Sequence, residues 1–349
     1  MDKKNKPFHI LVVRLSAMGD VAMMVPLLKG LLVKYPELEL TVLTKKHFLP
    51  IFSQLDRVNV HVANVKTEHK GFPGLWRLYK ELKKRDIDAV ADLHNVLRSN
   101  ILKKYFGLSR VPFVQMDKGR KEKKALTRAK NKEFHQLKTT QERYADVFRA
   151  LGFPIKLSEY KSLHRQPLPE KIVKLVGQDI KKWIGIAPFA AHKGKMYPLE
   201  LMKEVIDQLN NTEKYKILFF GGGKNEEKQL DELSQLFSNT LSLAGKLSLE
   251  EELAIISNLD IMVSMDSGNA HLAANYGIPV LTLWGVTHPF TGFYPFGQPA
   301  ENALLSNREK YPLIPTSVYG NKVPTGYEKV MESISPESVV TKIRDILKG

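Results

Sequence analysis

The sequence predicts an α/β fold made of two domains, each built on a parallel β-sheet. Three observations carry this prediction. Short apolar runs typical of buried strands alternate with helix-like segments along most of the 349 residues. Most of these runs end in small or polar residues, and the carboxyl edge of a parallel sheet is where ligands bind. The length also exceeds that of a typical single domain, which favours two.

In the first half, strands are expected where apolar residues form short runs, and helices where they recur with helical spacing. The predicted strands are residues 8–14, 40–43, 58–62, 89–93 and 111–114. The predicted helices are residues 21–33, 48–55, 75–85, 99–106 and 139–151. Gly19 should give the backbone room for a tight turn, and Pro26 should kink the helix that contains it.

The second half repeats this alternation. Its predicted strands are residues 184–187, 217–220, 241–243, 261–265 and 280–284, and its predicted helices are residues 199–209, 226–236, 249–257 and 270–276. Ser335 and Pro336 are typical of the start of a final helix. Residues 155–169 have the composition of an irregular linker. We therefore expect domains at residues 1–160 and 161–335, followed by a C-terminal helix at residues 336–349.

The chain has a formal net charge of +16 and contains no cysteine. The basic excess favours an anionic partner such as nucleic acid, an anionic membrane surface or a phosphorylated substrate, although a lysine-rich surface also serves solubility. The lack of cysteine excludes disulfides and thiolate metal sites and fits a reducing compartment. The first apolar run is too short for a signal peptide or a membrane span, so a cytoplasmic location is expected.

The most informative stretch is residues 261–284. An apolar strand leads into a polar break that contains Asp266, Ser267 and Gly268, and a short helix and a second apolar strand follow. The free N–H groups and positive partial charge at a helix start suit an anionic ligand such as a phosphate. Ser267 and His271 are four residues apart and share a helix face. The alternative interpretation is that the first two polar residues only cap the helix and that His271 is half-buried and satisfied.

Polar residues follow other predicted strands in the same way. Asp20 comes at a helix start after the first strand, where the helix dipole favours a carboxylate. Arg98 belongs to the polar run after the fourth strand, and Lys195 follows the first strand of the second half. Asp86 and Asp88 match the spacing of an Asp-x-Asp metal pair, but they precede a strand instead of ending one. A solvated charge cluster is therefore the favoured interpretation.

Three motifs resemble those of the ADP-heptose:lipopolysaccharide heptosyltransferases, glycosyltransferase family nine. The first is Ser16-Ala17-Met18-Gly19-Asp20. The second is Lys195-Met196-Tyr197-Pro198, which is similar to the family's Lys-x-Trp-Pro segment. The third is Asp266-Ser267-Gly268-Asn269-Ala270-His271-Leu272-Ala273-Ala274, together with Gly285-Val286-Thr287-His288-Pro289. The resemblance covers roughly residues 8–299.

This resemblance implies the GT-B architecture, in which two Rossmann-like domains face each other across a cleft and the second binds the donor. It implies an inverting, metal-independent transfer of a heptose or related sugar from an ADP-sugar to an anionic lipopolysaccharide core acceptor. The nucleotide sugar is then a substrate, and no cofactor or metal is expected. We expect a monomer that is peripheral on the inner face of the cytoplasmic membrane and does not bind nucleic acid.

The resemblance also implies roles for single residues. Asp20 is the expected general base; from its position alone, a helix cap would be favoured. The expected donor-binding residues are Lys195, Glu226, Leu247, Asp266, Ser267, Gly268 and His271, with Glu226 at the adenosine ribose and the backbone near Leu247 at the base. The residues expected near donor or acceptor are Ser16, Met18, Gly19, Arg98 and Thr287.

Residues 118–138 are strongly basic and contain few apolar residues, which predicts a mobile loop or a poorly packed helix. They lie in the half expected to carry the acceptor, so we interpret them as docking on the acceptor or on an anionic membrane, with a merely solvated loop as the alternative.

Other functions remain open at the level of the sequence. Tyr197 replaces the family's tryptophan, and Ala190 and Ala191 stand where hydroxyl residues are common, so the donor could differ. A GT-B enzyme with another nucleotide sugar or acceptor, such as an epimerase, is one alternative. A relative that binds without transferring is another. A basic nucleic-acid-binding protein is a third, although no zinc pattern or stacked-aromatic motif supports it.

Overall fold

The computed structural model describes residues 8–177 and 179–348, which form two compact units. The first unit reaches Gly119 and also includes Thr140–Lys161. The second unit consists of Arg120–Thr139 and the chain from Ser162 onward. Each unit contains one parallel sheet with helices packed against it.

The elements alternate along the chain much as the sequence predicts. The strands are β1 (Phe8–Val13), β2 (Leu38–Thr44), β3 (Val58–Val62), β4 (Ala89–Asp92), β5 (Phe113–Gln115), β6 (Lys182–Ala187), β7 (Tyr215–Phe219), β8 (Thr240–Ser242), β9 (Ile261–Met265), β10 (Val280–Trp284) and β11 (Ala303–Leu305). The helices are α1 (Met18–Ala22), α2 (Val25–Lys34), α3 (Gly71–Lys83), α4 (Leu97–Gly107), α5 (Arg120–Thr127), α6 (Thr140–Ala150), α7 (Glu170–Val176), α8 (Leu199–Asn210), α9 (Lys224–Ser234), α10 (Leu249–Ile256), α11 (Gly268–Asn275) and α12 (Pro336–Lys348).

The sheet of the first unit has the strand order β3-β2-β1-β4-β5, and every pair is parallel. The chain moves outward from β1 to β3 and then returns to place β4 on the other side of β1. Val13 pairs with both Leu43 of β2 and Asp92 of β4, so these strands end at one edge. The reversal of strand order between β1 and β4 opens a crevice at that edge, which is where open α/β sheets bind ligands.

The sheet of the second unit has the order β11-β10-β9-β6-β7-β8, again with parallel pairs only. Here the order reverses between β6 and β9. Ala187 at the end of β6 pairs with Ser264 near the end of β9, so the residues after these two strands leave the sheet side by side.

Both sheets are buried on two faces, which explains the nearly continuous apolar strands. In the first unit, Leu78 of α3 and Phe106 of α4 pack in one cluster with Leu11 of β1. In the second unit, Ile343 of α12 joins the cluster that contains Ile186 of β6. The C-terminal helix is therefore part of the core of the second unit.

Several local predictions were wrong. The helix expected at residues 21–33 is interrupted, and Pro26 lies at the start of α2, where its missing N–H leaves no helical bond unmade. Gly19 is the second residue of α1 and does not lie in a tight turn before the helix, as was predicted. Residues Lys46–Phe52 form a 3₁₀ helix instead of an α-helix. The pattern also missed β11, which is three residues long, and α7, which follows the irregular linker.

The basic segment differs most from its prediction. Arg120–Thr127 is a regular helix, and Leu126 and Leu137 are buried. The segment Arg120–Thr139 packs with the second unit and not with the first domain to which it was assigned. Within the described residues, no helix is both long and apolar enough to cross a membrane.

Candidate functional site

Asp20 lies in the first turn of α1, directly after the loop that leaves β1. Its Oδ2 accepts a hydrogen bond of 3.2 Å from the backbone N–H of Ala17. The same oxygen lies 2.5 Å from Nη2 of Arg14. The carboxylate therefore caps its own helix, as the purely structural interpretation predicts, and is also one half of an ion pair. Its side chain is 22% exposed, which leaves it open to a ligand.

Arg14 is a buried cation that fixes this carboxylate. Its Nη1 donates to the carbonyl of Leu93, and the ring of Tyr144 lies 6.0 Å from the guanidinium carbon. Burial alone would lower the pKa of Arg14, but Tyr144 and Asp20 outweigh it and hold the pKa above its ordinary value. Burial raises the pKa of Tyr144, whose hydroxyl donates to the backbone carbonyl of Asp20.

The loop after β4 lies next to the loop after β1, because β4 is the neighbour of β1 at the strand reversal. Asp92 is fully buried and accepts hydrogen bonds of 2.9 Å from the N–H groups of His94 and Asn95. Nδ1 of His94 accepts from the N–H of Leu15, 3.4 Å away, and so ties the two loops together. Burial, and then the charge of Arg14, lower the pKa of His94 to about 4. The imidazole is therefore neutral near neutral pH.

The second cluster lies at the strand reversal of the second sheet. Nζ of Lys195 lies 2.8 Å from Oδ2 of Asp266 and donates to the backbone carbonyl of Asp266 at 2.9 Å. Lys195 follows β6 in a short 3₁₀ turn, and Asp266 follows β9 directly. The prediction that Asp266 caps the next helix was wrong, because the N-cap residue is Ser267. The carboxylate instead neutralises the lysine that is expected to meet a diphosphate.

The start of α11 lies beside this ion pair. Ser267 provides no side-chain cap to α11, and its Oγ is 2.9 Å from Oγ of Ser264. Gly268 is the first residue of the helix, so its N–H is one of the donors that a helix start leaves without an intrahelical acceptor. His271 is buried in the second turn. The helix thus presents its positive end where Lys195 lies.

The backbone passes close to Lys195 at glycine positions. Gly320 has a φ of +79°, and a Cβ there would lie 2.4 Å from Cγ of Lys195. The carbonyl of Gly194 accepts from the N–H of Val286, and a Cβ at Gly285 would lie 2.3 Å from that carbonyl oxygen. Backbone at Gly320 therefore lies against the lysine stem, and the turn that carries Lys195 packs against the loop after β10. No local sequence pattern revealed either contact.

Two more residues that were predicted to bind the sugar donor lie at the same edge of the second sheet. Glu226 is in the first turn of α9, and its Oε2 accepts a 3.0 Å hydrogen bond from the N–H of Gly222. It therefore braces the turn after β7, the neighbour of β6. Leu247 is partly buried and directly precedes Ser248, the N-cap of α10.

The remaining predicted residues also lie near strand ends, but with different exposure. Oγ of Ser16 is 3.5 Å from Nε2 of His94, while Met18 and Gly19 form the first turn of α1. Arg98 is exposed at the start of α4. Thr287, which follows β10, is 1% exposed, and its hydroxyl has no hydrogen-bond partner within the described part of the chain.

The Asp-x-Asp pair lies at the opposite edge of the first sheet. Oδ2 of Asp88 accepts a 2.9 Å hydrogen bond from the N–H of His9, so this carboxylate joins the beginnings of β4 and β1. In residues 8–177 and 179–348, no group of three or more His, Cys, Asp or Glu side chains is placed to hold a metal ion.

Sequence reasoning predicted Asp20 but missed the buried residues around it, Arg14 and His94. Arg14 looked like the end of a strand, and His94 was only part of a polar run. Each acquires its contact through pairing of β1 with β4, which joins residues 79 positions apart.

Comparisons with known proteins identify the family of this chain. A family model described as glycosyltransferase family 9 (heptosyltransferase) matches residues 75–318, more than half of the chain. The chain is 25% identical over 292 residues to the lipopolysaccharide core heptosyltransferase OpsX of Haemophilus influenzae, covering 81% of this chain and 80% of that protein. It is also 25% identical to the lipooligosaccharide heptosyltransferase 2 of the same species, covering 97% and 99%.

Solved structures show the same fold. A family 9 glycosyl transferase from Veillonella parvula superposes with a TM-score of 0.76 at 19% identity and covers 98% of both chains. The ADP-heptose lps heptosyltransferase II of E. coli gives a TM-score of 0.69 at 20% identity, covering 97% of this chain and 98% of that one. The predicted GT-B class, with two parallel-sheet α/β domains in one chain, is confirmed. The chain is a glycosyltransferase, and it belongs to glycosyltransferase family 9, the heptosyltransferases.

Proposed function

We propose that this enzyme transfers a heptose or a closely related sugar from an ADP-sugar to a lipopolysaccharide core acceptor, with inversion and without a metal ion. The observation that carries the proposal is the pair of Lys195 and Asp266 beside the start of α11, at the strand reversal of the second sheet. Relatives support the substrate classes, because one is a lipopolysaccharide core heptosyltransferase and a heptosyltransferase of similar fold has been solved with ADP.

At the donor end, the ammonium of Lys195 has three N–H donors. One of them donates to the backbone carbonyl of Asp266 at 2.9 Å, and Oδ2 of the same residue lies 2.8 Å from Nζ as the other half of an ion pair, so the position of Nζ is fixed. A remaining N–H would bind a phosphate oxygen. Together with the N–H of Gly268 and the positive end of α11, it would stabilise the charge that develops on the departing diphosphate. Glu226 would accept from the adenosine ribose, and the backbone near Leu247 would meet the base.

At the acceptor end, Asp20 would act as the general base. The bonds from Ala17 and Arg14 both go to Oδ2, so Oδ1 would be the oxygen that receives the acceptor proton. Arg14 holds the carboxylate in one orientation, which would keep Oδ1 directed at the acceptor hydroxyl.

The reaction would be a single displacement. The acceptor oxygen forms a bond to the anomeric carbon while the bond from that carbon to the diphosphate oxygen breaks. The electron pair leaves with ADP, and the acceptor proton passes to Asp20. One attack from the face opposite the leaving group inverts the anomeric configuration.

We further propose that the protein works in the cytoplasm as a monomer bound peripherally to the membrane that carries the acceptor. The lack of cysteine fits a reducing compartment, and the charge of +16 fits an anionic acceptor and membrane. Fractionation of cells at low and high salt, with light scattering on the purified chain, tests these points.

The reaction itself is tested with purified enzyme, ADP-heptose and delipidated core oligosaccharide. We expect ADP release and a glycosylated product whose anomeric configuration, measured by NMR, is opposite to that of the donor, with full activity in EDTA. UDP-sugars and ADP-hexoses are the matched comparisons. Transfer from a UDP-sugar in preference to ADP-heptose, retention of configuration, or loss of activity in EDTA would contradict the corresponding part of the proposal.

A further inference from the structure

Two neighbouring helices of the first unit expose large apolar side chains along one surface. Phe72 is 66% exposed and Trp76 is 36% exposed on α3, while Leu97 and Leu108, at the two ends of α4, are 76% and 71% exposed. Single exposed apolar residues are ordinary, but a group of them on adjacent helices marks an interaction surface.

Helical spacing places these side chains on one face of each helix. Phe72 and Trp76 are one turn apart on α3. On α4 the apolar positions recur at intervals of four, four and three residues: Leu97, Ile101, Tyr105 and Leu108. The apolar faces of the two helices are in contact. The ring centroids of Trp76 and Tyr105 are 5.0 Å apart, and the hydroxyl of Tyr105 donates to the carbonyl of Phe72. We call these six residues the α3–α4 face.

The fold holds four members of this face outward, while Ile101 and Tyr105 are half-buried and pack against the core of the first unit. Leu75, Leu78 and Leu82 bury the opposite side of α3 in the core. At the start of the helix, a Cβ at Gly74 would lie 2.4 Å from the backbone carbon of His69, so the preceding turn is packed directly against α3.

The surroundings of the face are strongly basic. Between residues 71 and 110 the chain has nine Lys and Arg residues, all exposed: Arg77, Lys80, Lys83, Lys84, Arg85, Arg98, Lys103, Lys104 and Arg110. Nζ of Lys80 lies 5.6 Å from the ring centre of Trp76, so positive charge reaches the aromatic residues themselves. The nearby carboxylates are mostly engaged: Asp92 is fully buried, and Glu81 lies 3.2 Å from Nε2 of His61.

We propose that the α3–α4 face binds the surface of an anionic lipid bilayer. Aromatic and aliphatic side chains enter the boundary between headgroups and acyl chains, while lysine and arginine reach the lipid phosphates. A second copy of this chain fits less well, because two such basic surfaces would repel each other. The choice of a bilayer as the partner rests on the proposed function, since a lipopolysaccharide core acceptor is itself anchored in a membrane.

The basic segment Arg120–Thr139 is less suited to this role than its sequence suggested. Lys123 is buried with its ammonium 4.3 Å from the ring centre of Phe293. Lys132 donates to the carbonyls of Leu126 and Pro315. These lysines hold the segment to the second unit.

The first experiment measures flotation of the full chain with vesicles of phosphatidylcholine alone or of phosphatidylcholine mixed with phosphatidylglycerol. We expect binding to the mixed vesicles only. The double variant Phe72→Ser, Leu108→Ser should lower the partition coefficient at least about tenfold, because both side chains lose apolar burial. The control is Val33→Ser, Leu236→Ser, which removes two equally exposed apolar residues elsewhere and should bind like the natural chain.

The second experiment separates the two basic regions. Lys80→Gln, Lys83→Gln and Lys104→Gln together should weaken binding on the order of fivefold per charge. The matched set Lys121→Gln, Lys124→Gln and Lys130→Gln removes the same charge from exposed positions of the basic segment and should change binding much less.

A spectroscopic measurement locates the contact. The chain has three tryptophans, of which Trp284 is 1% exposed. In a Trp183→Phe background, Trp76 is the exposed reporter. Its emission should shift to shorter wavelength with anionic vesicles and be quenched by lipids with brominated acyl chains.

Several results would overturn this inference. The first is that the natural chain does not bind vesicles, and the second is that the Phe72→Ser, Leu108→Ser variant binds them as well as the natural chain does. The third is that binding is lost only when the lysines of the basic segment are replaced. The fourth is that the chain self-associates through the α3–α4 face and does not bind vesicles. Transfer to the delipidated acceptor keeps the two proposals distinct. The Phe72→Ser, Leu108→Ser variant should retain that activity, whereas failure of the proposed function would abolish transfer by every variant and by the natural chain.

Discussion

At the scale of single residues, the proposed base is tested by Asp20→Asn. The amide keeps an oxygen that can accept from the N–H of Ala17, so the helix cap is preserved. It cannot take a proton, and we expect turnover to fall by about two to four powers of ten. The measurement is the single-turnover rate of transfer.

The control for that variant is ADP affinity by calorimetry, which should stay the same because Asp20 is not in the unit that we propose to bind the donor. Loss of the partner of Arg14 also destabilises the first unit, so unfolding in urea is measured in parallel. Near-normal turnover in Asp20→Asn would remove this residue from the role of base.

Lys195→Ala tests the proposed phosphate contact. A charged hydrogen bond contributes about 1.5–3 kcal/mol, so ADP should bind roughly ten to a hundred times more weakly. Asp266→Asn is added to the variant, because the carboxylate would otherwise be buried without its cation. Lys193→Ala is the matched control, since Lys193 is an exposed lysine in the same 3₁₀ turn. Unchanged ADP affinity in the Lys195 variants would contradict the assignment.

Two buried histidines should make the protein less stable in acid. Burial is the main cause that lowers the pKa of His94 and of His288 from 6.5 to about 4. The unfolded chain therefore binds more protons between these values, so stability is complete above about pH 6.5 and is lost as the pH falls towards 4. Each histidine accounts for up to about 3 kcal/mol of this loss.

The measurement is urea unfolding at about pH 7 and about pH 4.5, compared between the natural chain and His94→Asn, His288→Asn. Asparagine can replace Nδ1 as the acceptor for the N–H groups of Leu15 and Phe290. The variant should lose less stability between the two pH values. An equal loss in both proteins would show that other groups control the acid response.

At the scale of elements, the loop that contains Gly320 should control the position of Lys195. Gly320→Ala introduces a Cβ 2.4 Å from Cγ of Lys195 at a positive φ. Gly326→Ala is the matched control, because Gly326 has a similar φ of +84° and open space around it. Both should lose about 1 kcal/mol of stability from backbone strain. Only Gly320→Ala should also weaken ADP binding in calorimetry; equal affinity in the two variants would contradict this.

The elements also show what the sequence can and cannot predict. Strands such as β1 and β9 were predicted well, because a strand covered on both faces is apolar at successive positions. β11 was missed because a strand of three residues is too short to show a recognisable hydrophobic pattern. The basic segment was misjudged because its composition hides two buried leucines, Leu126 and Leu137, that anchor it.

The site residues follow the same logic. Asp20 and Ser267 could be located because helix starts have local signals. The pairing of Asp266 with Lys195 joins residues 71 positions apart, and it depends on β6 lying beside β9. Strand order is a property of the whole sheet, so no window of sequence contains it.

At the scale of the whole molecule, the charge of +16 should make acceptor binding sensitive to salt. Raising salt from about 0.05 to about 0.5 M should increase the KM for a phosphorylated core oligosaccharide by about tenfold, because screening weakens long-range attraction. The dephosphorylated oligosaccharide is the matched substrate and should show a much smaller change. A KM that is independent of salt for both would mean that the charge serves only solubility.

The three glycines around Lys195 also limit how the enzyme can diversify. A Cβ at Gly285 would lie 2.3 Å from the carbonyl oxygen of Gly194, one at Gly194 would lie 2.8 Å from that of Gly320, and one at Gly320 would lie 2.4 Å from the lysine stem, so a larger residue at any of the three displaces its neighbours. Substitutions that change the preferred sugar donor are therefore expected at neighbouring positions that can accept a larger side chain, such as the partly exposed Ala190 and the exposed Ala191. A library built for altered sugar choice should randomise those alanines and leave the glycines untouched.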